Sequence, residues 1–105
     1  MEKKNEQEIK ETKYCKLLQS VGFEDKYTGY KYAIEKIYVK SLKREEIRLC
    51  LYKDMRDRAG KVTCKMLVRP VDLTSEELLQ LLVKGYKDGI IDDKFITSLV
   101  EKTKK

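Results

Sequence analysis

The sequence predicts an all-α protein, a small helical bundle with a divergent helix-turn-helix. Three observations lead there. Apolar residues recur at helical spacing in several stretches. The 105 residues include one proline and five glycines, few for a loop-rich fold. Two segments in the second half open with residues that cap helices. The competing prediction is α+β, with a three-stranded antiparallel sheet over 30–39, 46–53 and 61–69.

Residues 1–8 read as a polar tail and 9–105 as a single helical domain, since the length admits one modest core. In "IKETKYCKLLQSV", Tyr14, Leu17, Leu18 and Val21 form one helical stripe, and Gly22 stands where a left-handed cap belongs. In "GYKYAIEKIYVKS", Tyr30, Ala33, Ile34, Ile37 and Tyr38 fall at i, i+3, i+4, i+7 and i+8, the inner face of a surface helix.

"REEIRLCLYKDMRDRAG" fits two periods. Ile47, Leu49 and Leu51 alternate with Arg48, Cys50 and Tyr52, as in a strand. Ile47, Cys50, Leu51 and Met55 also make a helical stripe, with Glu45 and Glu46 at its start, Arg56 and Arg58 at its end and Gly60 as cap. The helix is preferred. "VTCKMLV" can start a helix at Thr63 or form a strand, and Pro70 stops it either way.

The last two elements are helices. Thr74 and Glu77 have capping-box spacing ahead of Leu78, Leu79, Leu81 and Leu82, a helix ending near Gly85. Asp92 is a candidate N-cap for a helix with Phe95, Ile96, Leu99 and Val100 on one face and lysines at its end.

Composition narrows function. There is no histidine, and the three cysteines (Cys15, Cys50, Cys64) form no CxxC pair. The cysteines therefore lack the spacing of a structural zinc site, and a Ser-His or Cys-His nucleophile has no histidine to use. No glycine-rich phosphate loop occurs. No catalytic or metal residue is named and no cofactor is expected; the cysteines read as reduced thiols. Nothing approaches the ~20 apolar residues of a membrane span, and "MEKKNEQEIKETK" has no apolar signal core. The expected setting is cytoplasmic.

Charge is localised. Residues 40–69 hold ten basic and four acidic residues, a surplus of six that equals the formal charge of the whole chain. A surplus confined to one segment is the footprint of a polyanion partner; the bland alternative is a solvated face.

"LLQSVGFEDKYTGYKYAIEKI" (Leu17 to Ile37), with Gly22, Tyr27, Gly29, Tyr30, Tyr32, Ile34 and Glu35 in unbroken spacing, resembles the DNA-binding effector domain of the sporulation master response regulators of spore-forming Firmicutes. "LYKDMRDRAG" (Leu51 to Gly60) is similar to the helix that opens that family's helix-turn-helix, and "DDKFITSLVEKTKK" to its closing helix. The resemblance implies an all-α fold with a recognition helix over 64–71. There Lys65 stands at a family Arg position, Leu67 and Val68 replace Glu and Arg, and Pro70 interrupts the helix.

The expected function is a small DNA-binding transcriptional regulator. It would contact double-stranded DNA through Lys53, Arg56, Arg58, Lys61, Thr63, Lys65 and Arg69. Two alternatives remain. The apolar Leu67, Val68 and Pro70 suit a protein-interaction module, with a homodimer or another regulator as partner. A basic sheet bearing Tyr32, Tyr38 and Tyr52 would instead stack single-stranded nucleic acid.

Overall fold

A computed structural model describes residues 11–104. Its order is four strands, then two helices: β1 (Cys15–Glu24), β2 (Tyr30–Val39), β3 (Arg44–Arg56), β4 (Val62–Met66), α1 (Ser75–Lys87) and α2 (Asp93–Thr103). The strands form one antiparallel meander in the order β1-β2-β3-β4. The all-α bundle and its helix-turn-helix are thus overturned, and with them the helical domain over 9–105 and the fold that the family resemblance implied. The expected tail, 1–8, lies outside the described residues.

Register assigns the two faces of the sheet. Phe23, Tyr32 and Leu51 form one cross-strand row, and Val21, Ile34 and Leu49 the next. Except for Leu49, side chains of these rows meet Leu81, Ile90 and Ile91 in the core, flanked by Leu67, Val71, Leu73 and Ile96. Ile34, Leu51 and Leu81 are fully buried, each stabilising the fold by about 1.5–3 kcal/mol. The opposite face carries Ala33, Glu35 and Ile37 of β2 with Arg48, Cys50 and Tyr52 of β3.

This two-sided burial explains why β2 reads as a helix. Tyr32, Ala33, Ile34, Glu35 and Ile37 are all buried. A central strand loses its period-2 alternation when both faces are enclosed, and its apolar run then mimics a 3.6-residue stripe. In β3 the alternation of Ile47, Leu49 and Leu51 is the true signal, and the helical stripe is coincidental. The competing three-stranded sheet anticipates β2, β3 and β4 but omits β1.

Gly22 is no helix cap. It sits within β1 opposite Ala33, where an added Cβ would lie 1.8 Å from the Tyr32 carbonyl oxygen. Gly60 keeps a turn role of another kind. In the β3–β4 turn the Gly60 amide donates to the Asp57 carbonyl, and the Asp57 amide to the Lys61 carbonyl, each at 3.0 Å. Gly60 has φ 86°, the left-handed residue that closes such a hairpin.

The helix starts stand as expected. The Thr74 hydroxyl accepts from the Glu77 amide while the Glu77 carboxylate accepts from the Thr74 amide, a complete capping box. The Asp92 carboxylate caps α2 by accepting from the Phe95 amide. α1 outruns its expected end, continuing past Gly85 to Lys87, with Gly85 packed against Ile34 and Ile91. No described helix is long and apolar enough to cross a membrane.

Candidate nucleic-acid interface

The stretch 53–69 is a β-hairpin and the loop after it. β2 begins at Tyr30, opposite Lys53, so Asp54, Met55 and Arg56 pair only with β4. At about 3.4 Å per residue this two-stranded ribbon extends roughly 10 Å beyond β2, with the turn 57–61 at its tip.

Parity distributes the seven expected contact residues. Lys53 is directly opposite Lys65, and Thr63 opposite Met55, so Lys53, Thr63 and Lys65 share one face. Arg69 joins them from the loop. Its guanidinium lies 5.1 Å from the Tyr30 ring centroid, and the Lys53 ammonium lies 4.9 Å from it. Arg58 and Lys61 occupy the turn. Arg56 is the exception: it pairs with Val62 on the other face, and its guanidinium donates to the Gly60 carbonyl at 2.9 Å. Lys53, Thr63, Lys65 and Arg69 are thus brought together, with Arg58 and Lys61 at the ribbon's tip, on a ribbon rather than on a recognition helix.

Among the described residues, Lys53, Arg58, Lys61, Lys65 and Arg69 make no ion pair. The nearby carboxylates are engaged elsewhere. Asp54 pairs with Lys31 at 3.1 Å, Asp57 accepts from the Lys61 amide, and Asp25 accepts from the Tyr27 amide. Like charges directly opposite on a ribbon are destabilising, so the Lys53–Lys65 pair persists at a cost to stability. The β1–β2 turn lies at the same end of the sheet and presents Lys26 and a fully exposed Tyr27.

The tyrosines proposed for base stacking are otherwise placed. Tyr32 belongs to the core. Tyr38 shares the helix-bearing face. Tyr52 lies on the other face, where its hydroxyl donates to Glu35 at 2.6 Å.

That hydrogen bond belongs to a network the sequence reading missed. Glu35 is 1% exposed. Its carboxylate also accepts from Arg48 at 3.0 Å, Ser20 at 2.9 Å and the Cys50 thiol at 3.2 Å. Burial, followed by the Glu35 charge, pushes the Cys50 thiol up to about 12. Burial and the hydrogen bond to Glu35 raise the Tyr52 phenol well above its ordinary value. Neither is an activated nucleophile. The available signal was a Glu between Ile34 and Lys36 in the otherwise apolar run "YAIEKIYV".

Beside the network is a groove of about 270 Å³, bordered by Ser20, Gly22, Lys31, Ala33, Tyr52 and Cys64. That is below the roughly 300–1,000 Å³ of sites that enclose drug-sized ligands. The cysteines form no disulfide; Cys50 is buried, Cys15 and Cys64 half-buried. Among the described residues no His, Cys, Asp or Glu cluster has the geometry to hold a metal ion.

Compared with protein-family models, curated proteins and solved structures, the chain matches none.

Proposed function

We propose that this protein binds nucleic acid through the phosphate backbone, using the β3–β4 ribbon and the Arg69 loop, with duplex as the preferred form. The observation that carries this reading is the set of five cations without carboxylate partners among the described residues, two of them directly opposed across the ribbon. A polyanion relieves that repulsion by lying between or over the lysines. The duplex preference rests on shape. A two-stranded ribbon fits the major groove, and phosphate contacts need no free aromatic ring.

One observation favours a second reading. Tyr27 is fully exposed at the same end of the sheet, and an exposed ring near a basic surface suits a stacked, unpaired base.

The test is fluorescence anisotropy with a mixed-sequence duplex and its matching single strand, across a salt series. If three to five phosphates are contacted, the log–log slope of duplex affinity against salt is about −3 to −4.5. Binding that prefers the single strand selects the second reading. No binding to either at low salt overturns both.

A further inference from the structure

We infer that the chain pairs with a second copy of itself, the exposed face of α2 in each copy lying along β3 of the other. Two unsatisfied apolar surfaces on one chain point there. The first is α2 itself, an eleven-residue helix with no buried residue. It is held to the body by Ile96, which packs against the core, and by Tyr86, whose hydroxyl donates to Asp93. Phe95, Leu99 and Val100 remain 42%, 45% and 55% exposed. An isolated helix of fewer than about 12–15 residues is marginal in water, so tertiary or quaternary packing of this face must supply its stability.

The second surface is on β3. α1 packs against β1 and β2. Its last turn is fixed there by Gln19, which donates to the Asp88 carbonyl, and by Lys36, which donates to the Gly89 carbonyl. Ile47 and Leu49, on the helix-bearing side of β3, stay 49% and 39% exposed.

The two surfaces match in spacing and in charge. Phe95 and Leu99 are four helical residues apart, about 6 Å along the axis. Leu49 and Ile47 are two strand residues apart, about 7 Å. Running α2 antiparallel to β3 sets Phe95 on Leu49 and Leu99 on Ile47. Lys102 then comes beside Glu45, which shares the face of Ile47 and, among the described residues, pairs with Lys36 alone, at 3.9 Å. Because donor helix and acceptor strand are on the same chain, one two-fold axis satisfies both contacts at once and closes the assembly.

The experiment is light scattering or sedimentation equilibrium on the full chain, whose monomer mass is 12.4 kDa. Twice that mass is expected. Leu99→Glu and Ile47→Lys, both at exposed positions, should each raise the dimer dissociation constant at least about tenfold. Mixing the two variants should restore a dimer, because it pairs the new carboxylate with the new ammonium at one contact and leaves the other contact native. Circular dichroism identical to the parent shows that each variant is folded; a variant that fails this is replaced by Phe95→Glu or Leu49→Lys. A monomer at the highest soluble concentration overturns the inference. So does a dimer that survives substitutions on both surfaces, or folded variants that stay monomeric when mixed.

Discussion

Lys53 and Lys65 stand directly opposite one another across the β3–β4 ribbon, with the Tyr30 ring beneath the first and Arg69 beside the same ring. Replacing one lysine by an acid turns a repulsive cross-strand pair into an attractive one. Lys65→Glu should therefore raise stability by about 0.2–1 kcal/mol, a rise of a few degrees in Tm. Duplex affinity should fall about tenfold in the same variant, and the salt slope should become shallower by about 0.9. Thermal melts and anisotropy on one preparation read both. A variant that is more stable and binds as tightly as the parent removes the ribbon from the interface.

The buried carboxylate makes a prediction about alkaline pH. The Cys50 thiol has an ordinary value of 9.0 and is held at about 12 in the fold. The Tyr52 phenol is raised from 10.0. Both groups are neutral when protonated, and the folded state keeps those protons to higher pH than the unfolded chain does. Their contribution is thus fully present below about pH 9 and is lost as pH rises towards 12, because the unfolded state binds fewer protons there. Tm should be flat near neutrality and fall steeply above pH 9. Cys50→Ser keeps a donor to Glu35 but does not titrate in this range, so its decline should be shallower. An unchanged slope in that variant would place the alkaline loss elsewhere.

Glu35→Ala tests the same network at neutral pH. It leaves Arg48 without its partner and strands the donors of Ser20, Cys50 and Tyr52. Breaking a buried ion pair from one side costs about 3–5 kcal/mol, much of the stability of a small domain. Chemical denaturation should show the midpoint falling by that equivalent. A loss under about 1 kcal/mol would mean the pair is replaceable.

Legibility in the sequence divided along physical lines. Helix starts are local events, and Thr74, Glu77 and Asp92 announced them because a cap satisfies amides two or three residues away. β2 announced the wrong structure because its partners lie on both sides and both faces. Pairing with β1 and β3 is non-local, and no window around Tyr30–Val39 contains it. The charge surplus over 40–69 was legible and reappears in part as the cations of the ribbon that have no carboxylate partner among the described residues, since net charge does not depend on whether the backbone is helix or strand. The Glu35 network was not legible, because its four donors are 13 to 17 residues away from it and meet it only through sheet register.

Gly22 gives a packing prediction. An alanine Cβ there would lie 1.8 Å from the Tyr32 carbonyl oxygen and 2.8 Å from the Ala33 Cα. Both are backbone atoms of the neighbouring strand, so β1 must shift for the methyl group to fit. Gly22→Ala should cost at least about 1–3 kcal/mol, the usual range for overpacking, although alanine suits a strand better than glycine does. A denaturation midpoint equal to the parent's would show that β1 moves freely against β2.

Tyr27 separates the two nucleic-acid readings. Its side chain is fully exposed and packs on nothing, so Tyr27→Ala should change stability by less than about 0.5 kcal/mol. If the ribbon holds duplex by its phosphates, Tyr27→Ala leaves duplex affinity within twofold of the parent. Lys53→Ala and Arg69→Ala should each weaken duplex binding and reduce the salt slope by about 0.9. If the surface instead takes a single strand with a base on Tyr27, that substitution costs about 1–3 kcal/mol in single-strand affinity and hardly alters the slope, because stacking releases no counterions. Salt dependence and affinity thus move independently under the two readings, and one titration series with three variants distinguishes them.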